Sequence, residues 1–210
     1  RGFPDARNCT AMEPIGDLLQ RNGIHRAAFA GEVAAAFRLW SAAAGLRFEQ
    51  VVEAGNADIL IGGQRDDRGV AFTNVRQETA PARGPIDGIG NATICLDPSE
   101  RWEVGIDGNP KTYNLRYVLA HEIGHAIGLD HRGRDRGIMG FAYRELVRAP
   151  SEIVLAPTDI AAAARLYGPA ARTRLARAAP SAPASLRASC SEPEPTPRRD
   201  LACSLVPGEP

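Results

Sequence analysis

The fold of this chain is decided by one stretch, HEIGHAIGLDH at residues 121–131. His121 and His125 are four residues apart, so on a helix they lie on one face, about one turn from each other. Two imidazoles in that arrangement can bind one tetrahedral Zn²⁺. Gly128 then lets the chain leave the helix, because glycine enters left-handed backbone conformations without a steric cost. This reversal brings His131 back toward the metal as a third ligand.

Three protein ligands leave a fourth position of the metal open, which is typical of a catalytic rather than a structural zinc site. Glu122 follows the first histidine, about 100° further around the helix. A carboxylate there can take a proton from water that the metal activates. The alternative is an ordinary buried helix that happens to carry histidines. Since the whole chain has only 4 His and three lie in this stretch, catalytic zinc is the better interpretation.

The spacing of this stretch is the metzincin signature, and Ile138-Met139-Gly140 resembles the Met-turn that follows it. Residues 119–131 most resemble the matrixins, the matrix metalloproteinase family, and Arg132 favours its bacterial-type branch. The resemblance covers residues 32–168. It implies an α+β, zincin-like domain with a twisted, mostly parallel sheet that has one antiparallel edge strand. The sheet would pack on the active-site helix and a first long helix, with a further helix at the C-terminus.

Composition favours one domain and an extension. The chain has 210 residues, 25 basic and 25 acidic side chains and 44% hydrophobic residues. We expect a catalytic domain over residues 1–168 and a flexible tail rich in Ala, Pro and Arg over residues 169–210. Balanced charge gives no reason to expect nucleic acid or an anionic membrane as a partner. Because the chain begins at Arg1 without Met, we expect a processed or truncated product whose first strand lies upstream.

The chain has 4 cysteines, and none forms a C-x-x-C pair. Histidine already serves the metal, so disulfides in a secreted or periplasmic protein are the preferred use of these thiols. Of three pairings, we favour Cys9–Cys95 within the domain and Cys190–Cys203 within the tail. Four reduced thiols in a cytosolic protein are the alternative.

Periodicity and turn residues predict the secondary structure. The predicted helices cover residues 15–20, 32–44, 113–128 with Thr112 as N-cap, and a last helix from Thr158 to Gly168. The predicted strands cover residues 47–52, 57–61, 70–75 and 92–97. The isolated His25 is predicted to be a solvated surface residue.

The resemblance assigns roles to further residues. Met139 would form the hydrophobic floor beneath the histidines, and Tyr143 would line the wall of the specificity pocket. Strand 92–97 reads as an edge strand, along which substrate would lie at Ile94, Cys95 and Leu96.

Metal sites other than the three histidines receive weaker support. Asp97 and Glu100 match calcium-binding positions of the family, but without ordered ligand spacing solvated loop acids are the favoured interpretation. No histidine lies between His25 and His121, so a second zinc site built on histidine is not expected.

Together these features predict a zinc-dependent endopeptidase with Glu122 as general base and then general acid. Its partner would be a protein or peptide substrate, and a monomer is expected. The alternative is a catalytically silent, zinc-stabilised binding module. The presence of Glu122 argues against that alternative, because a pure binding site needs no base beside its metal.

Overall fold

A computed structural model describes residues 15–64, 69–77, 89–106, 109, 111–132, 137–140, 149 and 152–170. The helices are α1 Gly16–Arg21, α2 Arg26–Ala43, α3 Leu115–Ala126 and α4 Pro157–Tyr167, with a 3₁₀ turn at Ala54–Asn56. The strands are β1 Ile59–Gly63, β2 Ala71–Gln77, β3 Ile89–Leu96, β4 Trp102–Glu103 and β5 Tyr113–Asn114. Among the described helices, none is long and apolar enough to cross a membrane.

The main sheet has the strand order β1-β3-β2. Strand β3 is parallel to β1, with Ile94 opposite Ile61, and antiparallel to β2, with Ile94 opposite Thr73. The α+β fold is therefore confirmed, and β2 is the antiparallel outermost strand of the described sheet. The prediction of residues 92–97 as an edge strand is wrong. A nearly continuous apolar run is typical of a strand covered on both faces, and β3 is such a strand.

Helix α2 packs one apolar face into the core, through Phe29, Val33, Ala36 and Trp40. It begins six residues before the predicted start at residue 32. His25 is exposed, as predicted, but it also caps this helix, because its Nδ1 accepts a hydrogen bond from the Ala27 amide at 3.3 Å. A histidine is a rare cap, so the early start could not be inferred from the usual capping residues.

The predicted strand over residues 47–52 is not formed, since this segment belongs to none of the strands. Phe48 instead packs on Phe37 of α2, with ring centroids 4.8 Å apart. Alternating apolar residues indicate that one side of an extended segment is buried. Residues 47–52 can bury one side without pairing with a neighbouring strand, so the pattern alone did not distinguish the two cases. The other three predicted strands are present, shifted by one to three residues at their ends.

Helix α3 begins at Leu115, two residues after the predicted start, because Tyr113–Asn114 pair with β4. Its N-cap is Asn114, whose Oδ1 accepts from the Tyr117 amide at 3.0 Å. Thr112, the predicted cap, instead donates to the carbonyl oxygen of Asn109 at 2.8 Å. The Asn114 side chain also donates to the Gly105 carbonyl, so the cap is tied to the preceding loop.

Helix α4 likewise lacks the predicted cap. Ala156 occupies the N-cap position, Pro157 begins the helix, and Thr158 is exposed. The carboxylate of Asp159, at the third position of the helix, accepts from the amide of the N-cap residue Ala156 at 3.0 Å, so a side chain inside the first turn fixes the start of α4. Gly168 ends the helix with φ +77, as predicted.

Two polar contacts hold α2 against α3. The Trp40 indole Nε1 donates to the carbonyl oxygen of Ala120 at 2.8 Å. The Arg116 guanidinium binds Glu32 through two hydrogen bonds of 2.6 and 3.2 Å. Both contacts lie within two turns of the histidine stretch, so α2 fixes the position of the helix that carries it.

The cap assignment can be tested with a matched pair of substitutions. Asn114→Ala should lower the free energy of unfolding by about 1–2 kcal/mol, because the first turn of α3 loses its cap. Thr112→Ala should cost less, about 0.5 kcal/mol, because this half-buried residue caps no helix and its hydroxyl makes hydrogen bonds that contribute little net stability. Urea unfolding followed by circular dichroism measures both, and equal losses would contradict the assignment.

Candidate metal centre

Three histidines converge on one point. The distances between Nε2 atoms are 3.1 Å for His121 and His125, 3.3 Å for His125 and His131, and 3.2 Å for His121 and His131. The first two lie on α3, and the third follows the reversal at Gly128, whose φ is +87. Among the described residues, this trio is the group of side chains that could hold a metal ion.

The spacing of the three nitrogens fits zinc. A tetrahedral Zn²⁺ with Zn–N bonds of about 2.0–2.1 Å separates two nitrogen ligands by about 3.3 Å. The opposite nitrogens fix the tautomers: the Nδ1 atoms of His121 and His125 lie 2.6 Å and 2.7 Å from the carbonyl oxygens of Ile138 and Leu129. Since a carbonyl only accepts, each Nδ1 carries the proton and each Nε2 presents a lone pair to the metal.

Burial keeps two of these rings neutral near neutral pH. His121 is 3% exposed, and burial lowers its pKa from 6.5 to about 4, although its hydrogen bond to Ile138 acts in the opposite direction. The pKa of His131 is also lowered, first by burial and then by the neighbouring His125. Neutral imidazole is the form that binds a metal, so the rings need not release protons first.

Residues 137–140 form a tight turn beneath the histidines, closed by the Gly140 amide donating to the carbonyl oxygen of Gly137 at 3.2 Å. Met139 is fully buried there. A Cβ added to Gly124, which directly precedes His125, would overlap the Met139 Sδ and lie 2.8 Å from Cζ2 of Trp40. The glycine thus lets the thioether and the indole pack directly against the helix backbone.

Asp159 supports this turn and was not predicted to belong to the site. Its Oδ2 accepts from the Ile138 amide at 2.9 Å as well as from the Ala156 amide, and the residue is 1% exposed. The carbonyl of the same Ile138 binds the His121 ring. An acid in the first turn of a helix is an ordinary capping signal, so the sequence carries no sign of this second role.

Glu122 is 2% exposed and contacts β2, the antiparallel outer strand of the described sheet. The Thr73 hydroxyl of β2 lies 2.5 Å from the Glu122 Oε2 and 3.0 Å from the Glu122 carbonyl oxygen. Strand β2 therefore runs beside the proposed base. Sequence reasoning missed Thr73, because a single threonine in a strand carries no chemical signal.

The predicted substrate-binding residues are not at the site surface. Ile94, Cys95 and Leu96 are fully buried, and β3 lies between two other strands. Their assignment as the strand that receives substrate is therefore wrong. Tyr143 lies outside the described residues, so its role stays a prediction.

The remaining predicted residues are only partly placed. Asp97 is 4% exposed, and its Oδ1 accepts from the amide and the hydroxyl of Ser99 at 2.7 and 2.5 Å. Glu100 lies in the same turn, and calcium binding there stays a prediction.

Cys95 is disulfide-bonded. Cys9, Cys190 and Cys203 lie outside the described residues, so both pairings stay predictions.

The fold and the three-histidine site define a metzincin-type α+β domain. Residues 18–168 match the matrixin family, and the chain belongs to it.

Similar proteins come from animals and plants. Matrix metalloproteinase-20 from Homo sapiens is 35% identical over 136 residues, which cover 64% of this chain and 26% of that protein. Metalloendoproteinase 1-MMP from Arabidopsis thaliana is 32% identical over 145 residues, covering 67% of this chain and 38% of that protein. Matrilysin from Homo sapiens is 31% identical over 144 residues, covering 68% of this chain and 51% of that protein. The chain thus spans about half or less of the length of these relatives.

The lowered pKa of His121 predicts a pH dependence for the metal-free protein. Between pH 6.5 and about pH 4, the unfolded chain binds a proton at this residue that the folded chain does not. Stability should therefore be fully present above pH 6.5 and should fall by up to about 3 kcal/mol as the pH drops through this window. Urea unfolding of chelator-treated protein across this range measures the loss. His121→Asn should flatten the dependence, and an unchanged slope in that variant would contradict the assignment to His121.

The packing at Gly124 can be tested against a second helical glycine. Gly124→Ala should lower the free energy of unfolding by about 1–3 kcal/mol and weaken zinc binding, because Met139 must move away from the helix. Gly31→Ala is the control, since a Cβ there meets nothing within 4 Å. It should stabilise α2 by about 0.5–1 kcal/mol. Thermal unfolding and zinc titration measure both variants, and a neutral Gly124→Ala would contradict the packing argument.

Proposed function

We propose that this chain is a zinc-dependent endopeptidase that hydrolyses peptide bonds in extended protein or peptide substrates. One observation carries the proposal: three Nε2 atoms lie within 3.3 Å of one another, and the next side chain after the first ligand is a buried glutamate. A structural site would need neither the open position nor the acid. Membership of the matrixin family supports the same reaction class.

His121, His125 and His131 would hold Zn²⁺, which supplies a Lewis acid that acidifies water and polarises the scissile carbonyl. The residues of the chain then manage the protons. Glu122 takes a proton from the attacking water as its oxygen bonds to the carbonyl carbon. The same carboxyl group then gives the proton to the leaving amine as the C–N bond breaks, so no covalent enzyme intermediate forms.

The antiparallel outer strand β2 is the proposed platform for substrate. It runs antiparallel to β3, and its Thr73 contacts the base. An extended peptide that adds to the outer edge of β2 would place its backbone beside the zinc site through main-chain hydrogen bonds. This proposal replaces the strand at Ile94, Cys95 and Leu96. We retain Tyr143 as the proposed wall of the specificity pocket.

Other features of the proposal extend from the sequence. We propose a secreted or periplasmic monomer of the bacterial-type branch, with Cys9–Cys95 and Cys190–Cys203 as disulfides. The disulfide-bonded state of Cys95 supports the first pairing. Asp97 and Glu100 remain candidate calcium ligands, although the Asp97 carboxylate already accepts two hydrogen bonds from Ser99.

The proposed reaction predicts chelator-sensitive cleavage of a quenched peptide library at internal bonds. Glu122→Gln should keep one zinc per chain and lose at least about 10²-fold in kcat, because the base is gone while the ligands remain. Glu49→Gln is the control, since that acid is exposed. It should leave both zinc content and rate unchanged.

Two outcomes would contradict this function. Wild-type protein that binds one zinc per chain but cleaves nothing would be a zinc-stabilised binding module. Undiminished turnover by zinc-loaded Glu122→Gln would show that another group moves the proton.

A further inference from the structure

Thr73 of β2 contacts Glu122, the proposed base. The Thr73 hydroxyl lies 2.5 Å from the Glu122 Oε2, a short distance typical of a hydroxyl bound to a charged carboxylate. Thr73 is half-buried and Glu122 is 2% exposed, so water competes weakly for this contact. The hydrogen bond joins β2 to Glu122 of α3, the acid that the proposed mechanism requires.

The sheet holds Thr73 in place. It stands opposite Ile94, which is fully buried, and Ile94 in turn stands opposite Ile61 of β1. Because side chains alternate along a strand, the neighbouring pair Asn74 and Thr93 belongs to the opposite face of the sheet. A shift of one residue would therefore remove the hydroxyl from Glu122. The register of β2 and β3 thus sets the position of the hydroxyl.

A glutamate has three rotatable side-chain bonds, and its carboxylate plane turns easily about the last of them. A donor held by a sheet at Oε2 restricts that rotation and so fixes the direction in which Oε1 faces. The carbonyl oxygen of Glu122, 3.0 Å from the same hydroxyl, is a second acceptor. The Thr73 hydroxyl can rotate toward this carbonyl oxygen. The hydroxyl therefore still has an acceptor while the Glu122 carboxyl group carries a proton during turnover.

We propose that Thr73 is a positioning residue for the reaction, because its hydroxyl orients the Glu122 carboxylate for proton transfer. This inference rests on the endopeptidase function proposed above. Misplacing a reacting group by about 1 Å can cost about two orders of magnitude in rate, so a smaller misplacement should still lower the rate measurably. The effect should therefore appear in kcat, while substrate affinity and zinc binding stay nearly constant.

The kinetic test compares three zinc-loaded variants with the wild type. Thr73→Val keeps the shape but removes the hydroxyl, and it should lower kcat about tenfold with KM changed less than about twofold. Thr73→Ser restores the hydroxyl and should recover most of the rate. Thr93→Val makes the same chemical change on the opposite face of the sheet and should leave kcat within about twofold of wild type. Zinc content and the thermal midpoint of each variant show that it is folded and loaded.

A second readout does not depend on turnover. The urea midpoint is measured for Thr73→Val, for Glu122→Ala and for the double variant, at one fixed concentration of free zinc. Removing the hydroxyl should lower the midpoint when the carboxylate is present, because a buried charge loses a donor. It should lower the midpoint less in the Glu122→Ala background.

The outcomes separate the inference from the function on which it rests. Equal kcat in Thr73→Val and wild type, or a Thr73→Ser rate as low as that of Thr73→Val, would overturn the positioning role. So would equal midpoint shifts in the two backgrounds, since they would show that hydroxyl and carboxylate are not coupled. A wild-type protein that cleaves no peptide would instead overturn the proposed function, whatever the midpoints show.

Discussion

The hydrogen bond from the His121 Nδ1 to the carbonyl oxygen of Ile138 is the contact on which the metal site most depends. It orients the most buried ligand and determines which ring nitrogen faces the metal. The backbone of Ile138 is held in place because its N–H donates to the carboxylate of Asp159, in the first turn of α4. A ligand on one helix is thus oriented by the first turn of another, through one residue of an intervening turn. The far end of α4 is also fixed to the residue that follows α3, by the Tyr167 hydroxyl donating to the carbonyl oxygen of Ile127.

Packing in the last turn of α3 explains why the turn at residues 137–140 can approach so closely. Gly124 removes one side chain from the helix surface, and the thioether of Met139 and the indole of Trp40 occupy that space. Both side chains are fully buried, so the helix backbone is enclosed between α2 and the turn. Rigid enclosure matters here, because a tetrahedral site tolerates only small displacements of its ligands.

The sequence was most informative where function depends on local spacing. The His121–His125 pair and the reversal at Gly128 follow from helical period and backbone sterics, and the structure has all of them as expected. Helix ends were less predictable. The caps of α2 and α3 are His25 and Asn114 rather than the residues expected there, and α4 is fixed at its start by Asp159 of its own first turn. Strand order was the largest error: the apolar character of residues 92–97 indicates burial, but only the tertiary structure shows that β3 lies between β1 and β2. The contacts of Asp159 and Thr73 join residues distant in sequence, and no local pattern marks them.

The polar environment of the ligands bears on how strongly a bound metal would act. The two helical histidines donate to backbone carbonyls of Ile138 and Leu129, which are neutral groups. A carboxylate in either place would make the imidazole more basic and would reduce the effective charge of the metal. With three neutral ligands, the charge of a bound Zn²⁺ stays high, which favours polarisation of a carbonyl. The carboxylate of Glu122, the proposed general base, instead accepts a hydrogen bond from the Thr73 hydroxyl of β2, so it takes no part in the hydrogen bonds that orient the two helical histidines.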